Sequence, residues 1–436
     1  MRPAYLVITY SYAPLISARA FRWSALAEHW AAQAYHIDVV ASLENGLLSY
    51  EQLHGVNVYR VQNQLHEALQ QRLVQTHAAV GHEEKSHISP MRWLGRAARW
   101  AYDNVWTKLY WPDAGFLWYW PALKKAKHLM AQHQYDAIIS VSPFFTAHLI
   151  GEQISRGQSA CWLSDFGDPF SLQRVQPHNN TMLYLALNRR VERRILQRAD
   201  SITVTTQPTA DIYAATFPTA ANKIRVIPPL LSMVPSFDDS MMKRDDSHIR
   251  LVYAGKLYSQ TRSPDFLLRL FTSLLQHPDL AEHLELHLYG DISTVQGSFD
   301  PYEDWIARGK IVLHGTVIRQ VVAQALESAD ILVNVGNKTA YQLPSKVIEY
   351  ASTGKPILNL IQIEDDSSKA LYESYPAALS LLDHGSTVEE QVEVLRHWVT
   401  NLPPRVDPVF LHQWLSPYQI ENVAQAYDEV LSLKKG

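Results

Sequence analysis

The sequence predicts an α/β fold with two doubly wound, mainly parallel sheets, one in each half of the chain. Short apolar segments alternate with helical segments through both halves, as in sheets whose two faces are covered by helices. Pro228 and Pro229 stop this alternation, because proline continues neither a helix nor a central strand. The polar residues 236–248 follow and indicate a link between two domains. The length of 436 residues agrees with roughly two to three domains.

The first domain is predicted to span residues 1–228 and to begin with a buried strand and an amphipathic helix. Its predicted strands are residues 5–9, 37–41, 56–61, 137–141, 160–164, 202–205 and 224–227. Its predicted helices include residues 17–33 and 183–199. Alternation on this scale favours parallel strands joined by helices.

The second half repeats the alternation between Leu251 and Leu382, and further helices are predicted at residues 388–400 and 418–434. Its first strand ends at Gly255, and Lys256 and Arg262 follow before a helix that opens at Ser263-Pro264. Parallel α/β sheets bind phosphates at such strand-to-helix loops. The two cations therefore indicate an anion site.

A second basic position lies in residues 341–358, where Pro344 suits the first turn of a helix. The N-terminus of that helix, near Ser345, presents unpaired N–H groups, and Lys346 adds a full charge. Glu349 lies on the same turns and can accept hydrogen bonds from sugar hydroxyls. The alternative is an ordinary capped helix in which Lys346 and Glu349 form a weak surface pair.

These motifs resemble the nucleotide-sugar domain of glycosyltransferase family 4. The matching segments are Tyr253-Ala-Gly-Lys256 with Arg262, Leu288-Tyr-Gly-Asp291, Val312-Leu-His-Gly315, Leu343-Pro-Ser-Lys-Val-Ile-Glu-Tyr350 and Thr353-Gly-Lys-Pro356. The resemblance implies the GT-B fold, in which two Rossmann-like domains face each other across a cleft. It implies an acceptor-binding domain over residues 1–228, a nucleotide-sugar-binding domain over residues 229–410, and a C-terminal helix in residues 411–436 that crosses back to the first domain.

The resemblance also implies site residues. Lys256 and Arg262 are expected to hold the donor diphosphate, and Glu349 the ribose. The remaining donor-binding positions are Gly255, Gly315, Thr316, Val317, Leu343, Pro344, Ser345 and Lys346. One position departs from the family pattern, since Tyr341 stands where many members carry a glutamate that contacts the donor sugar.

The first domain resembles the acceptor domain of the same family in several segments. They are Tyr12-Ala-Pro-Leu-Ile-Ser-Ala-Arg19, Trp111-Pro-Asp-Ala-Gly115, Ser142-Pro-Phe-Phe-Thr-Ala-His148 and Asp165-Phe-Gly-Asp-Pro169. Ser17 and Ala18 replace the glycines that family members usually carry in the first loop.

Acidic and basic residues in these segments are candidates for acceptor or sugar contacts. Asp165 and Asp168 follow a predicted strand, so we expect them at the carboxyl end of the sheet, positioning or deprotonating the acceptor hydroxyl. The alternative is a turn in which Asp168 caps the next segment. His148 is a further catalytic candidate, Asp113 and Arg19 are candidates for acceptor or sugar contacts, and Arg19 and Arg22 could neutralise phosphate on either substrate. A solvated helix face explains the two arginines almost as well.

No metal or other cofactor is expected. The sequence holds neither an Asp-x-Asp pair nor a Cys/His pattern suited to zinc. Lys256, Arg262 and the helix N-terminus near Ser345 would then stabilise the leaving diphosphate electrostatically. Retention of anomeric configuration is implied by the family resemblance alone.

Composition limits the partners and the compartment. A net charge of −4 and 19% charged residues argue against a general nucleic-acid binder. Cys161 is the sole cysteine, which excludes an internal disulfide, fits a reducing compartment and favours a core residue over a nucleophile. The apolar part of the N-terminus is short for a signal peptide, and no run approaches the ~20 apolar residues of a membrane span. We expect a soluble, cytoplasmic protein.

Six of the twelve tryptophans lie between Trp93 and Trp120, among several arginines and lysines. Basic and aromatic residues together favour a membrane interface and hence a lipid-linked saccharide acceptor on the cytoplasmic membrane face. A domain core or a sugar platform is the alternative.

The sequence therefore predicts a metal-independent, retaining glycosyltransferase of the hexosyltransferase type. It would move a sugar from a nucleotide-diphosphate donor to a saccharide or lipid-linked acceptor in cell-surface polysaccharide or glycolipid synthesis. Two alternatives share the fold. A nucleotide-sugar epimerase would isomerise the donor alone, and a degenerate binding subunit, favoured by Tyr341, would not turn it over.

Overall fold

The computed structural model describes residues 2–15, 17–62, 109–173, 177–231, 248–344 and 346–432. The chain divides into two compact units. Unit 1 comprises Met1–Pro228 and Ile420–Gly436, and unit 2 comprises Pro229–Gln419.

Unit 1 is built on an eight-stranded sheet. Its strands are β1 (Ala4–Thr9), β2 (His36–Ser42), β3 (Tyr50–Leu53), β4 (Val56–Val61), β5 (Ala137–Val141), β6 (Cys161–Phe166), β7 (Ser201–Val204) and β8 (Ile224–Val226). The spatial order is β3-β4-β2-β1-β5-β6-β7-β8, and every neighbouring pair is parallel except β3 with β4.

Five helices in the first part of the chain accompany this sheet in the described residues. They are α1 (Ala18–Ala32), α2 (Tyr119–Gln132), α3 (Thr146–Ile154), α4 (Thr181–Arg198) and α5 (Gln207–Thr216). Short 3-10 helices cover Phe116–Trp118 and Pro218–Lys223. Because successive residues of a strand point to opposite faces, Leu6 and Ile8 of β1 pack into one large core cluster, which also holds Trp162 and Ile195.

A helix from the far end of the chain completes unit 1. This helix, the last in the chain, is α14 (Ile420–Ser432). Tyr427 is fully buried and lies 5.2 Å from Trp23 and 6.2 Å from Trp30, measured between ring centroids. The Asp428 carboxylate accepts hydrogen bonds from Tyr5 (2.9 Å) and Trp30 (3.3 Å). The α14 helix therefore packs on α1 and reaches β1.

Unit 2 is built on a six-stranded parallel sheet of order β11-β10-β9-β12-β13-β14. Its strands are β9 (Ile249–Ala254), β10 (Leu284–Tyr289), β11 (Ile311–Gly315), β12 (Ile331–Val335), β13 (Ile357–Ile361) and β14 (Ala378–Leu382). Its helices are α6 (Asp265–Leu274), α7 (Pro278–Ala281), α8 (Glu303–Ala307), α9 (Arg319–Ser328), α10 (Lys346–Ser352), α11 (Ser367–Tyr372), α12 (Val388–Thr400) and α13 (Pro408–Leu415). Short 3-10 helices cover Gln296–Tyr302 and Ser416–Tyr418.

Both faces of the second sheet are covered. Leu251 and Tyr253 of β9 join one core cluster, whereas Val252 between them joins another. This burial on two faces explains why the strands read as nearly continuous apolar runs in the sequence.

The predicted doubly wound sheets are present, with small differences at the ends of elements. Two elements were not predicted. The edge strand β3 is Tyr-Glu-Gln-Leu and carries no apolar alternation, and α13 follows a proline-rich stretch. Leu411 and Leu415 of α13 lie in a core cluster of unit 2, so this unit extends to Gln419, past the predicted boundary at residue 410.

Some predictions fall outside the described residues. They are the linker over residues 236–247, the basic and aromatic stretch over residues 93–108, and Ser345. Among the residues that the structure does describe, no helix has both the length and the apolar character needed to cross a membrane.

Candidate functional site

Three loops meet where the central strands of unit 2 end. Strands β10 and β12 flank β9, and because all three are parallel, their carboxyl ends lie at one edge of the sheet. Gly255, with φ of 148°, follows β9, and Gly290, with φ of 133°, follows β10. A Cβ on Gly290 would lie 2.2 Å from the carbonyl oxygen of Gly255. Only glycine allows the two loops this close approach.

Lys256 lies at the surface of this edge. Its Nζ forms an ion pair with Asp291 at 2.9 Å, and both side chains are partly exposed. The hydrogen bond to Asp291 and the charge of that carboxylate raise the pKa of Lys256, and the same contact lowers the pKa of Asp291. Lys256 therefore stays cationic and is held over the loop.

Arg262 is positioned by a short antiparallel bridge. Its backbone N–H and C=O pair with those of Tyr258, which folds the loop back on itself. The guanidinium donates from Nε (3.1 Å) and Nη2 (2.8 Å) to Oδ1 of Asn337, the second residue after β12. It also donates from Nη1 to the carbonyl of Lys256 at 3.3 Å. Two of the predicted cations thus share one loop.

Lys346, the first residue of α10, is buried in the same region. Its Nζ lies 3.9 Å from the ring centroid of Tyr253 and 3.4 Å from the position that a Cβ on Gly255 would take. Within the described residues Nζ has no hydrogen-bond partner. Burial lowers the pKa of Lys346 well below its usual value, Arg262 lowers it further, and Glu349 opposes the change. A buried amine without a partner is costly, which is consistent with a place for an anion.

The α10 helix is tied directly to the end of β9. The hydroxyl of Tyr350 accepts from the N–H of Ala254 (2.9 Å) and donates to its C=O (3.1 Å). Glu349 is half-buried, and burial raises its pKa, against the lowering influence of Arg319 and Lys346. The structure therefore places Glu349, Lys346 and the loop after β9 in one neighbourhood.

The remaining donor-binding candidates are spread around this edge. Gly315 ends β11 with φ of 65°, and Val317 follows it, half-buried. Leu343 packs on a core cluster, and Pro344 precedes α10. Three further residues of the edge were not predicted as site residues: Asp291, Asn337 and Asp366. Asp366 lies against Gly336, where a Cβ would meet its Oδ2 at 2.3 Å. Asp291 stands in a segment that resembles the family, whereas the sequence signal for Asn337 and Asp366 is only a position in the loop after a strand.

In unit 1, Asp165 is the second-last residue of β6 and does not face solvent. The carboxylate is 1% exposed and accepts from Arg19 (2.9 Å), Trp23 (3.1 Å), Thr203 (2.7 Å) and Tyr427 (2.8 Å). Burial raises its pKa, but Arg19 and Arg22 together with these hydrogen bonds outweigh it, so the net pKa is lowered. With its acceptor positions filled, Asp165 is better placed to orient Arg19 than to remove a proton.

His148 and Asp113 are also buried. Nδ1 of His148 lies 2.9 Å from the hydroxyls of Ser140 and Ser164, and burial lowers its pKa to about 3. A neutral imidazole in the core does not reach an acceptor substrate. Asp113 accepts from the backbone N–H (2.8 Å) and the hydroxyl of Thr146 (2.8 Å), and burial raises its pKa to about 6. It caps the start of α3.

Arg19, Arg22 and Asp168 differ in how far they are accessible. Arg22 is 4% exposed and donates to Tyr427 and to the carbonyls of Ile227 and Pro228, so the expected solvated helix face does not apply to it. The Arg19 side chain is 13% exposed and lies against Gly167. Asp168 is half-buried in the next position. Arg19 and Asp168 are the candidates of unit 1 that keep access to solvent.

Residues 64–231 match the sequence model of Glycosyltransferase Family 4. The resemblance to glycosyltransferase family 4 is confirmed. The matched range lies in unit 1 except for its last three residues, 229–231. No curated protein matches the chain by sequence.

Solved glycosyltransferases share the fold. A glycosyltransferase from Rickettsia africae ESF-5 aligns with a TM-score of 0.60 at 11% identity, over 100% of this chain and 99% of its own. Anabaena HepE, in complex with UDP and glucose, aligns with a TM-score of 0.58 at 15% identity, over 99% of this chain and 100% of its own. The lipopolysaccharide outer core galactosyltransferase WaaB aligns with a TM-score of 0.59 at 10% identity, over 98% of this chain and 99% of its own. The predicted GT-B fold is therefore confirmed.

Proposed function

We propose that this chain is a glycosyltransferase that moves a sugar from a nucleotide-diphosphate donor to a saccharide or lipid-linked acceptor. One observation carries the proposal. Lys256, Arg262 and Lys346 meet at the carboxyl ends of β9 and its neighbours, in a glycine-lined loop beside the half-buried Glu349. Parallel α/β sheets bind phosphorylated ligands at this edge.

The three cations differ in what they contribute. Lys256 is exposed and exchanges Asp291 for an incoming phosphate, which aids capture. The orientation of Arg262 is fixed by Asn337, so its planar guanidinium presents a rigid set of donors. The amine of Lys346 is buried, and an ionic contact strengthens where water is excluded. Together they would stabilise the negative charge that develops on the diphosphate as the glycosidic bond breaks.

Glu349 is proposed to accept hydrogen bonds from the ribose hydroxyls. Burial raises the pKa of Glu349, and the charges of Arg319 and Lys346 oppose that change only in part. The loop after β11, with Gly315 and Val317, is proposed to lie along the base. The donor of HepE is named as UDP-glucose in one of its structures, and a uridine diphosphate sugar is therefore the first donor to test here.

We also propose that the reaction needs no divalent ion and retains the anomeric configuration. The three basic side chains supply the charge that Mg²⁺ would otherwise provide. Chelation with EDTA should then leave initial turnover unchanged. Retention, which rests on the family resemblance, is checked by the NMR coupling constant of the anomeric proton in the first-formed product.

A lipid-linked acceptor and a position at the cytoplasmic membrane face, in surface-polysaccharide or glycolipid synthesis, complete the proposal. Trp120 is 71% exposed at the start of α2, and the exposed Lys124 and Lys127 follow on the same helix. An amphipathic aromatic ring beside cations suits an anionic membrane surface. Flotation with vesicles containing anionic lipid should recover the protein, and Trp120→Ala should reduce that recovery.

The decisive experiment measures release of nucleoside diphosphate from a panel of nucleotide sugars. We expect one donor to be consumed slowly in water and faster with a suitable acceptor. Lys256→Ala and Arg262→Ala should each lower the rate by about 100-fold or more. Arg308→Ala is the matched control, since Arg308 is an exposed arginine of unit 2 that lies over Trp305.

Other results would contradict the proposal. An isomerised donor with no transfer would indicate an epimerase. Tight binding of a nucleotide sugar without release of diphosphate would indicate a binding subunit. Equal rates for the wild type, Lys256→Ala and Arg262→Ala would show that the diphosphate does not bind at this edge.

A further inference from the structure

A second constellation lies in unit 1, at the start of its strands rather than at their ends. His36 opens β2, Asp38 is two residues later on the same strand face, and His133 follows the last residue of α2. One potential ligand atom from each residue lies within 4.8 Å of the others. We propose that His36, Asp38 and His133 bind a zinc-type divalent ion whose role is structural.

The distances suit a small tetrahedral ion. Nε2 of His36 lies 3.1 Å from Oδ2 of Asp38, and the rings of His36 and His133 are 4.9 Å apart between centroids. Zinc bonds to histidine and carboxylate of about 2.0–2.2 Å place two ligand atoms about 3.3 Å apart in tetrahedral geometry. His133 is exposed, so its ring is free to turn toward the other two ligands.

The carboxylate of Asp38 is already oriented. It is 0% exposed, and its oxygens accept from Asn57 Nδ2 (2.9 Å) and from the hydroxyl of Tyr135. Hydrogen bonds of this kind fix the ligands of metal sites and raise their affinity. Among the described residues no lysine or arginine pairs with Asp38. A buried carboxylate whose only ionic neighbour is a histidine is well matched to a cation.

The donor set selects the kind of ion. Two imidazole nitrogens and one carboxylate favour zinc or cobalt over magnesium or calcium, which prefer oxygen ligands. His133 is exposed and His36 is half-buried, which leaves a fourth position for water.

The location indicates a structural role. Strands β2 and β5 flank β1, and His133 and Tyr135 precede β5. An ion would therefore join the connection between α2 and β5 to the start of β2. That edge is separated by the length of the strands, roughly 20 Å for seven residues, from the ends where Arg19 and Asp168 lie.

The test uses the full chain, stripped of metal with a chelator and then titrated with Zn²⁺ or Co²⁺. We expect one tight site per chain, visible absorption from tetrahedral Co²⁺, and a rise in the melting temperature of about 5–10 °C at ~100 times the dissociation constant. His36→Gln and His133→Gln should each weaken binding at least tenfold and abolish the rise.

His128→Gln is the matched control, because His128 is an exposed histidine of the same α2 helix. It should bind like the wild type. All three variants should melt at the wild-type temperature in chelator, which shows that they fold. The absence of a tight site, or equal binding by His36→Gln, His133→Gln and the wild type, would overturn the proposal, since the metal would then lie on other histidines.

Discussion

The charge on Lys346 connects burial to ligand binding. Burial lowers the pKa of this amine well below its usual value, so in the window between the folded and unfolded pKa the unfolded chain holds a proton that the folded chain lacks. Folding stability therefore rises with pH through that window. A bound diphosphate acts in the opposite direction, because it favours the ammonium form.

We predict that binding of a nucleoside diphosphate is coupled to uptake of a proton by Lys346. In the pH window between the pKa values of the free and bound states, affinity should fall as pH rises, by up to about tenfold per pH unit. Isothermal titration in buffers of different ionisation enthalpy measures the proton number.

Lys346→Met removes the titrating group and keeps a similar volume, so the proton uptake should disappear and the affinity should drop by about 10-fold or more. Lys338→Met, at an exposed lysine of unit 2, should behave like the wild type. Equal proton uptake in Lys346→Met would assign the effect to another group.

A second residue-scale prediction concerns Gly290. A Cβ there would lie 2.2 Å from the backbone oxygen of Gly255, in a conformation with φ of 133°. Gly290→Ala should destabilise unit 2 by about 3 kcal/mol or more, because both backbone strain and a clash contribute. Gly309→Ala has a positive φ but no atom within 4 Å of the added Cβ, so strain alone should cost about 1–2 kcal/mol. Urea unfolding of the two variants compares them, and equal losses would contradict the close approach.

The place of a residue in the fold could be predicted from the sequence where its neighbours are close along the chain. The loop that carries Lys256 and Arg262 spans few residues, so its location after a strand was readable. The hydrogen-bond partners of Asp165 could not be predicted, since Arg19 and Tyr427 are 146 and 262 residues away along the chain. The group of His36, Asp38 and His133 was missed for the same reason, although His36-x-Asp38 on one strand face was a partial signal.

At the scale of elements, α14 is held in unit 1 by polar contacts as well as by packing. The hydroxyl of Tyr427 accepts from Arg22 and donates to Asp165, in a fully buried position. The donor Arg22 also holds the carbonyls of Ile227 and Pro228, where the chain leaves the first sheet. One helix therefore fixes both the exit of the chain and the carboxylate that orients Arg19.

Tyr427→Phe should lower the stability of unit 1 by about 1–3 kcal/mol, because it leaves buried partners without a hydrogen bond. Tyr50→Phe removes a hydroxyl that bonds Asn57 at an exposed position and should change stability by less than about 0.5 kcal/mol. Thermal unfolding followed by circular dichroism measures both. Equal melting temperatures for the two variants would contradict the prediction.

The elements themselves were largely predictable. Apolar runs bounded by turn residues predicted every parallel strand of unit 1, and burial on both faces explains the runs of β5, β6 and β7. Strand β3 escaped, since its pairing with β4 depends on a turn with His54 and Gly55 at positive φ rather than on an apolar face. The α10 helix was located by Pro344 and Gly354, whose backbone preferences are local.

At the scale of the molecule, the two units have separate cores, but unit 1 is discontinuous in sequence. Ending the chain at Gln419 should destabilise unit 1 alone, since α14 buries Val423, Ala424, Tyr427, Val430 and Leu431. Hydrogen exchange measured by mass spectrometry should show faster exchange in β1 and β6 of the shortened chain and unchanged exchange in β9 and β12. Faster exchange in both units to the same extent would show that their stabilities are coupled.

Two domains could be predicted from the prolines that end the first alternation, whereas the extent of unit 2 could not. Residues 408–419 carry no strand and no motif, and their packing on Val347 and Tyr375 and the hydrogen bond from Trp414 to Ser374 assign them to unit 2. The place of Lys256 and Arg262 after β9 could be predicted, and with it the edge of the sheet on which they lie, because the carboxyl ends of parallel strands share one side.

Because α14 belongs to unit 1, this unit cannot complete its fold on the ribosome until the last helix has been made. The chain emerges from its N-terminus, so the strands of the first sheet are made long before the helix that covers α1 and satisfies Arg22 and Asp165. Unit 2 is complete while the first unit still lacks its last helix. The nascent N-terminal half must therefore wait, with part of its apolar surface uncovered, until residues 420–432 have been synthesised, and chaperones can bind there in the meantime.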